Sequence, residues 1–263
     1  MNKQSKTLLN AARSNLVRIV VHLKDGRLST GTGFFVSDRV ILTCTHIFFD
    51  CGSLYDLQRT LQKNKKVSDE LSSKFFSDYL KKIVKKIEVE LSDGSRHTIR
   101  KMHYDTSYDV AGLELVSPYK KRTPVPVTTK HTSEYGEEVW CLGFPDTFGV
   151  LSERSPFTFQ TARIRSFANL RLTGIIKHPY VSLDALCPPG MSGGPVIDPV
   201  SGAIVAQING YNSWGNDNVA FQKIIDGKKE FYGDSFYTPL PITFSTTFGL
   251  LQKKVPFLKA WLS

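Results

Sequence analysis

Residues 186–195, Leu-Cys-Pro-Pro-Gly-Met-Ser-Gly-Gly-Pro, constrain this chain more than any other stretch. They read as a tight glycine turn presenting one serine. A serine hydroxyl is a poor nucleophile, so it needs a base within hydrogen-bond reach and donors aimed at the oxyanion formed on attack. Gly190 can adopt the backbone angles that let its own N–H converge with that of Ser192 on one oxygen. Gly193 and Gly194 let a second backbone come close. The same residues also satisfy Gly-x-Ser-x-Gly, the elbow of α/β-hydrolases, so the order of the other candidate groups must decide.

The histidines settle that point. They stand at positions 22, 46, 97, 103, 131 and 178, all upstream of Ser192. The elbow reading needs a histidine after the serine and fails. What remains is the order His, Asp, Ser.

Two upstream segments supply the partners. Residues 31–46 read as strand, turn, strand, with His46 closing a β-branched run. Residues 105–115 put Asp109 in a polar turn just before an apolar strand. A carboxylate there can hold one imidazole nitrogen and stabilise the imidazolium formed when His46 takes the serine proton.

Gly31-Thr32-Gly33-Phe34, Leu42-Thr43-Cys44-Thr45-His46, Asp109-Val110-Ala111-Gly112-Leu113, Asp184-Ala185 and Pro189-Gly190-Met191-Ser192-Gly193-Gly194-Pro195 together resemble the trypsin-like serine proteases, in their HtrA/Deg branch. The resemblance covers roughly residues 15 to 242. It implies an all-β fold of two six-stranded barrels with the site in the cleft between them, endopeptidase activity and a polypeptide substrate. It assigns His46 as base, Asp109 as its orienter, Ser192 as nucleophile, and Gly190 with Ser192 as the oxyanion hole. No metal or cofactor is expected.

The departures carry information. Met191 stands where zymogen-type relatives keep an aspartate that pairs with a new amino terminus, so activation by clipping is not expected. The branch's PDZ domains have no counterpart in this sequence, so substrate delivery through one is not expected either.

Strand patterns recur at Leu16–Leu23, Ile87–Leu91, Val139–Leu142, Tyr180–Leu183, Pro195–Ile197 and Ile204–Ile208. Lys120-Lys121-Arg122-Thr123-Pro124 reads as the link between barrels. The expected division is an N-terminal arm at 1–14, a first barrel at 15–122, a second at 123–242 and a C-terminal helix at 243–263. Within the first barrel, Leu71, Phe75, Tyr79 and Ile83 recur at helical spacing with Phe76, Leu80 and Val84 alongside, predicting a helical insertion at about 51–86.

Between residues 54 and 86 stand nine Lys/Arg against four Asp/Glu, half of the chain's net charge of +10. Such a surface attracts an acidic or anionic partner, although a solvated helix face on the barrel explains it as well. No nucleic-acid signature accompanies it.

No apolar run approaches the ~18 residues of a membrane span. The cysteines at 44, 51, 141 and 187 form no close metal-ligand pair and read as reduced thiols of an intracellular, cytoplasmic chain. The lack of any Asn-x-Ser/Thr sequon points the same way.

Leu186, six residues before the serine, aligns with the pocket-floor position where trypsin has an acidic residue. With Leu186 and Cys187 there, a basic side chain would bury an unpaired charge, so a small or medium apolar P1 residue is expected. Ile208-Asn209-Gly210 reads as a strand offering backbone hydrogen bonds to extended substrate. The other class of protein compatible with these residues is a latent or inactive protease-fold module that binds peptides or acidic partners.

Overall fold

The computed structural model describes residues 3–48, 77–105, 108–129, 134–146, 157–170, 178–212, 222–225, 228–231 and 242–262. The first barrel is built from β1 (Leu16–Leu23), β2 (Leu28–Phe35), β3 (Val40–Thr43), β4 (Val84–Leu91), β5 (Arg96–Asp105) and β6 (Val110–Leu115). They close in the order β1-β2-β3-β6-β5-β4, every pair antiparallel. Alternation explains the inside of this barrel: Val17, Ile19 and Val21 are fully buried, while Arg18 and Glu90 on the other face approach to 3.9 Å.

The second barrel comprises β7 (Glu138–Gly143), β8 (Thr158–Leu170), β9 (His178–Leu183), β10 (Pro195–Ile197), β11 (Ile204–Asn212) and β14 (Ile242–Thr247), closed as β10-β11-β14-β9-β8-β7. A separate hairpin joins β12 (Gln222–Ile225) to β13 (Lys228–Phe231). The chain is thus all-β with two closed six-stranded barrels, as the resemblance implied.

Three differences from expectation concern the helices. The N-terminal arm is helical, α1 (Lys3–Asn15), because Leu8, Leu9 and Ala12 share one face and pack into the seam between the barrels. Of the basic insertion, residues 49–76 lie outside the described ones; 77–83 form a short helix, α2. Val84–Lys86, expected as helix, already belong to β4, where Leu23 pairs with Val84 and His22 with Lys86. The C-terminal helix expected over 243–263 begins later. Ile242, Thr243, Thr246 and Thr247 are β-branched and fill β14, which hydrogen-bonds to β9 on one side and β11 on the other. Helix α3 (Phe248–Lys254) follows, and Pro256 opens α4 (Pro256–Trp261) at a first-turn position that suits its missing N–H.

What positions the site is the seam. Leu16, Phe34, Leu42 and Val110 of the first barrel meet Trp140, Leu142, Ile197 and Ile204 of the second, with Phe248, Leu251, Val255 and Leu258 from α3 and α4. Phe34 and Phe248 meet edge-on with ring centroids 5.8 Å apart. Truncating either ring costs about 3–5 kcal/mol. In the linker, Arg122 is tied to the first barrel by donating to Asn15 Oδ1 and Asp38 Oδ1, both at 3.1 Å.

Candidate active site

His46 follows β3 after Cys44 and Thr45, opening a single 3-10 turn at His46–Phe48. Asp109 immediately precedes β6 with φ of 48°, the only non-glycine in left-handed backbone among the described residues. Aspartate tolerates that conformation better than most residues. It is held there by its own carbonyl, which accepts from Gln207 Nε2 at 3.2 Å and Asn209 Nδ2 at 3.3 Å, both from β11 of the other barrel.

The Asp109 carboxylate faces His46 with both oxygens. Oδ1 accepts the His46 backbone N–H at 2.9 Å, and Oδ2 lies 2.8 Å from His46 Nδ1. With a carboxylate as partner, Nδ1 carries the proton, so Nε2 presents its lone pair away from Asp109. Burial pulls the imidazole pKa down, but the Asp109 charge and hydrogen bond outweigh it and leave His46 above its ordinary value. Burial likewise raises Asp109, but the His46 charge and the hydrogen bonds from His46 and Asn209 outweigh it and hold the carboxyl below its ordinary range.

Ser192 sits in the turn leading into β10, and this turn is packed on the first barrel. A Cβ at Gly193 would land on the carbonyl oxygen of Thr32 and the hydroxyl of Thr43, and 2.9 Å from the backbone nitrogen of Cys44. Only glycine allows that approach, and its φ of +84° is again a glycine conformation. Ser192 is thereby brought beside the strand end that carries His46. No hydrogen bond joins Ser192 to His46 in this structure, as is common before substrate closes a site.

The peptide groups around Ser192 are oriented individually. Pro189 C=O accepts the Asp146 N–H at 2.7 Å, Gly190 C=O accepts the Thr32 hydroxyl at 2.7 Å, and Ser192 C=O accepts the Thr32 N–H at 2.8 Å. The N–H groups of Gly190 and Ser192 donate to no acceptor among the described residues. Gly190 has φ of +89°, and a Cβ there would stand 2.5 Å from Phe144 O.

Thr32 escaped the sequence reading. It is fully buried, and its hydroxyl both donates to Gly190 and accepts the Phe144 N–H at 2.9 Å. A threonine between glycines in a strand signals β propensity and nothing about such bonds.

The expected substrate-contacting residues divide. Ile208 is corrected: its N–H donates to Gly194 O at 2.8 Å, and its C=O accepts from Gly193 N–H at 2.8 Å and Cys44 S–H at 3.1 Å. Its backbone is therefore already engaged by the protein. Asn209 turns its side chain to Asp109, donating to Oδ2 at 3.2 Å, and Thr246 Oγ1 donates in turn to Asn209 Oδ1 at 2.7 Å. Gly210 lies beyond, where β11 has left β10 and pairs only with β14. Leu186 is 44% exposed, whereas Cys187 is buried in the second barrel's core beside Cys141. Its hydrogen bond, together with burial, pushes the Cys141 thiol up. Met191 is buried in the same core.

A double β-barrel with a histidine–carboxylate pair and a glycine-flanked serine at its seam is the arrangement of a trypsin-like peptidase. Residues 31–206 match the trypsin-like peptidase domain, and the chain belongs to that family. It is 29% identical over 112 residues to the chloroplastic Protease Do-like 1 of Arabidopsis thaliana, an overlap of 43% of this chain and 25% of that protein. The matched stretch is thus about a quarter of the curated relative's length. Among solved structures, the Rv3671c protease from M. tuberculosis in its active form has a TM-score of 0.62 at 19% identity, covering 95% of this chain and 82% of the other. The serine endoprotease from Yersinia pestis has a TM-score of 0.60 at 16% identity, covering 100% and 68%. At these identities the likeness shows the shared double-barrel fold.

Proposed function

We propose that this chain is a serine endopeptidase of HtrA type acting through His46, Asp109 and Ser192. Ser192 Oγ attacks the scissile carbonyl while His46 Nε2 takes its proton, and Asp109 stabilises the imidazolium that results. The N–H groups of Gly190 and Ser192 receive the oxyanion, each such donor being worth about 10²–10³ in kcat. His46 then returns the proton to the leaving amine, and water repeats the cycle on the acyl-enzyme. The observation that carries this reading is the 2.8 Å His46–Asp109 pair beside a serine turn whose two N–H groups have no acceptor among the described residues.

Substrate adds as a strand along β11 from Gly210 onward. P1 is small or medium and apolar, supported by Leu186 and Cys187, which bring no charge to the segment before the nucleophile. The basic charge of residues 54–86 draws an acidic or anionic partner, although within it Lys81 lies 3.6 Å from Asp78 and Lys86 2.7 Å from Glu88.

A second reading, a latent module that binds peptide without turnover, draws on the missing Ser192–His46 hydrogen bond. One experiment separates them: fluorophosphonate labelling and cleavage of unfolded casein by the wild type and by Ser192→Ala. Labelling and cleavage by the wild type alone are expected. Neither in the wild type favours the latent module, and turnover unchanged in Ser192→Ala overturns the nucleophile.

A further inference from the structure

Behind the His46–Asp109 pair lies a third metal-ligating side chain that peptide hydrolysis does not use. Cys44, two residues before His46, is fully buried. Cys44, His46 and Asp109 offer ligand atoms all within 4.8 Å of one another. We propose that these three side chains form an inhibitory site for a thiophilic divalent cation such as Zn²⁺.

The ligand atoms, within 4.8 Å of one another, must adjust to the spacing such an ion needs. Tetrahedral zinc with bonds of about 2.0–2.3 Å holds neighbouring N, O and S ligands roughly 3.3–3.6 Å apart. His46 Nδ1 and Asp109 Oδ2 are 2.8 Å apart, so the pair opens by about half an ångström to admit the ion between them. One thiolate, one carboxylate and one imidazole suit zinc or cadmium, and exclude magnesium and calcium, which take oxygen alone.

A second observation marks the sulfur as a ligand in waiting. Gln207 Nε2 approaches Cys44 Sγ at 3.1 Å and Asn209 Nδ2 at 3.7 Å, both amides being shared with acceptors of Asp109, while the thiol donates to Ile208 O at 3.1 Å. A neutral thiol gains little from them, whereas a thiolate bound to a metal is stabilised by such outer donors. Without a cation, a thiolate beside the Asp109 carboxylate would set two anions together in the interior. A divalent ion neutralises both.

The protons balance as follows. Cys44 loses its S–H proton to solvent, and the S–H bond is replaced by a sulfur–metal bond. His46 gives up the proton on Nδ1 to bind the ion there and takes one on Nε2, remaining neutral. One proton is released for each ion bound. The imidazole is left with N–H, not a lone pair, on the nitrogen that would serve Ser192, so the base is lost while the metal is held. This consequence rests on the proposed triad; the binding itself does not.

The test uses the full chain, reduced, with Cd²⁺ as probe and the ultraviolet thiolate-to-cadmium absorption as readout. Wild type and Ser192→Ala are expected to show the band saturating at a single ion per chain, Zn²⁺ to abolish it by competition, and Cys44→Ser to lack it. Zn²⁺ is expected to slow fluorophosphonate labelling of the wild type about tenfold or more, reversibly by chelator, and to change labelling of Cys44→Ser by less than about twofold. A band that persists in Cys44→Ser, or a wild type that binds no Cd²⁺, overturns the site. If circular dichroism shows Cys44→Ser to be unfolded, Asp109→Asn takes its place and must weaken Cd²⁺ binding about tenfold. A wild type that binds Cd²⁺ but is never labelled, even with chelator, leaves the metal site standing and removes the peptidase reading instead.

Discussion

Asn209, on the second barrel, donates its side-chain N–H to the carboxylate of Asp109 on the first, at 3.2 Å from Oδ2. Thr246 fixes the other end of the same amide at 2.7 Å, so the carboxylate that orients His46 is itself oriented from across the seam. Asn209→Leu is expected to lower kcat about tenfold, the worth of one hydrogen bond to a charged group, with KM little changed. Losing a donor leaves the carboxylate less satisfied and the imidazolium more favoured. The acid limb of kcat/KM therefore moves to higher pH, a shift that mere loosening of the fold would not produce. Steady-state kinetics across pH on the single variant checks both.

Thr32 acts on the nucleophile turn from the first barrel. Thr32→Val keeps the shape but removes the hydroxyl that donates to Gly190 and accepts from Phe144. The expected loss is about 1–3 kcal/mol of stability, with kcat falling more than KM rises because the oxyanion donors lose their fixed direction. Thr32→Ser restores both hydrogen bonds and should recover most of kcat. Denaturant unfolding beside kinetics separates the two effects.

The His46–Asp109 pair also sets two pH dependences. Because His46 must be neutral to act as base and its pKa lies above the ordinary 6.5, the acid limb of kcat/KM is expected above that pH. Asp109→Asn removes the causes of that rise, moving the limb down while kcat falls on the order of 10⁴. For stability the signs oppose. The raised His46 pKa contributes fully below 6.5 and its contribution is lost as pH rises through the folded value. The lowered Asp109 pKa contributes above 3.8 and its contribution is lost as pH falls through the folded value. The stability gap between wild type and Asp109→Asn is therefore widest between pH 3.8 and 6.5, measurable by thermal unfolding in a buffer series.

Much of this was legible before the fold was known, and the exceptions share a cause. Many barrel strands announce themselves by β-branched runs, although β5 and β8, with their interspersed polar residues, do not, and the approach of His46 to Asp109 follows from two motifs in the right order. What local pattern does not carry is direction. Ile242–Thr247 mixes Phe244 among threonines, and only pairing with β9 and β11 decides for a strand over a helix. At Ile208–Gly210 the register shifts, so the Asn209 side chain turns toward Asp109 and the Ile208 backbone is used up inside the protein. A bulge of that kind leaves no mark that a propensity scale reads.

The same limit makes two glycines look alike in sequence that differ in kind. Gly94 in the β4–β5 turn and Gly193 beside the serine have φ of +81° and +84°. Around Gly94 an added Cβ meets nothing within 4 Å, so Gly94→Ala carries only the backbone penalty of about 1–2 kcal/mol and leaves labelling of Ser192 intact. Gly193 carries the same penalty and a collision besides, because its Cβ falls on the Thr32 carbonyl, the Thr43 hydroxyl and the Cys44 nitrogen. None of these can yield: Thr32 O already accepts the Thr43 hydroxyl at 2.7 Å, and both residues are fully buried. The serine turn must lift off the first barrel, taking Ser192 away from His46. Gly193→Ala is therefore expected to lose fluorophosphonate labelling altogether and to cost more stability than Gly94→Ala. Equal unfolding midpoints and equal labelling of the two variants would show that the serine turn does not depend on its contact with β2 and β3.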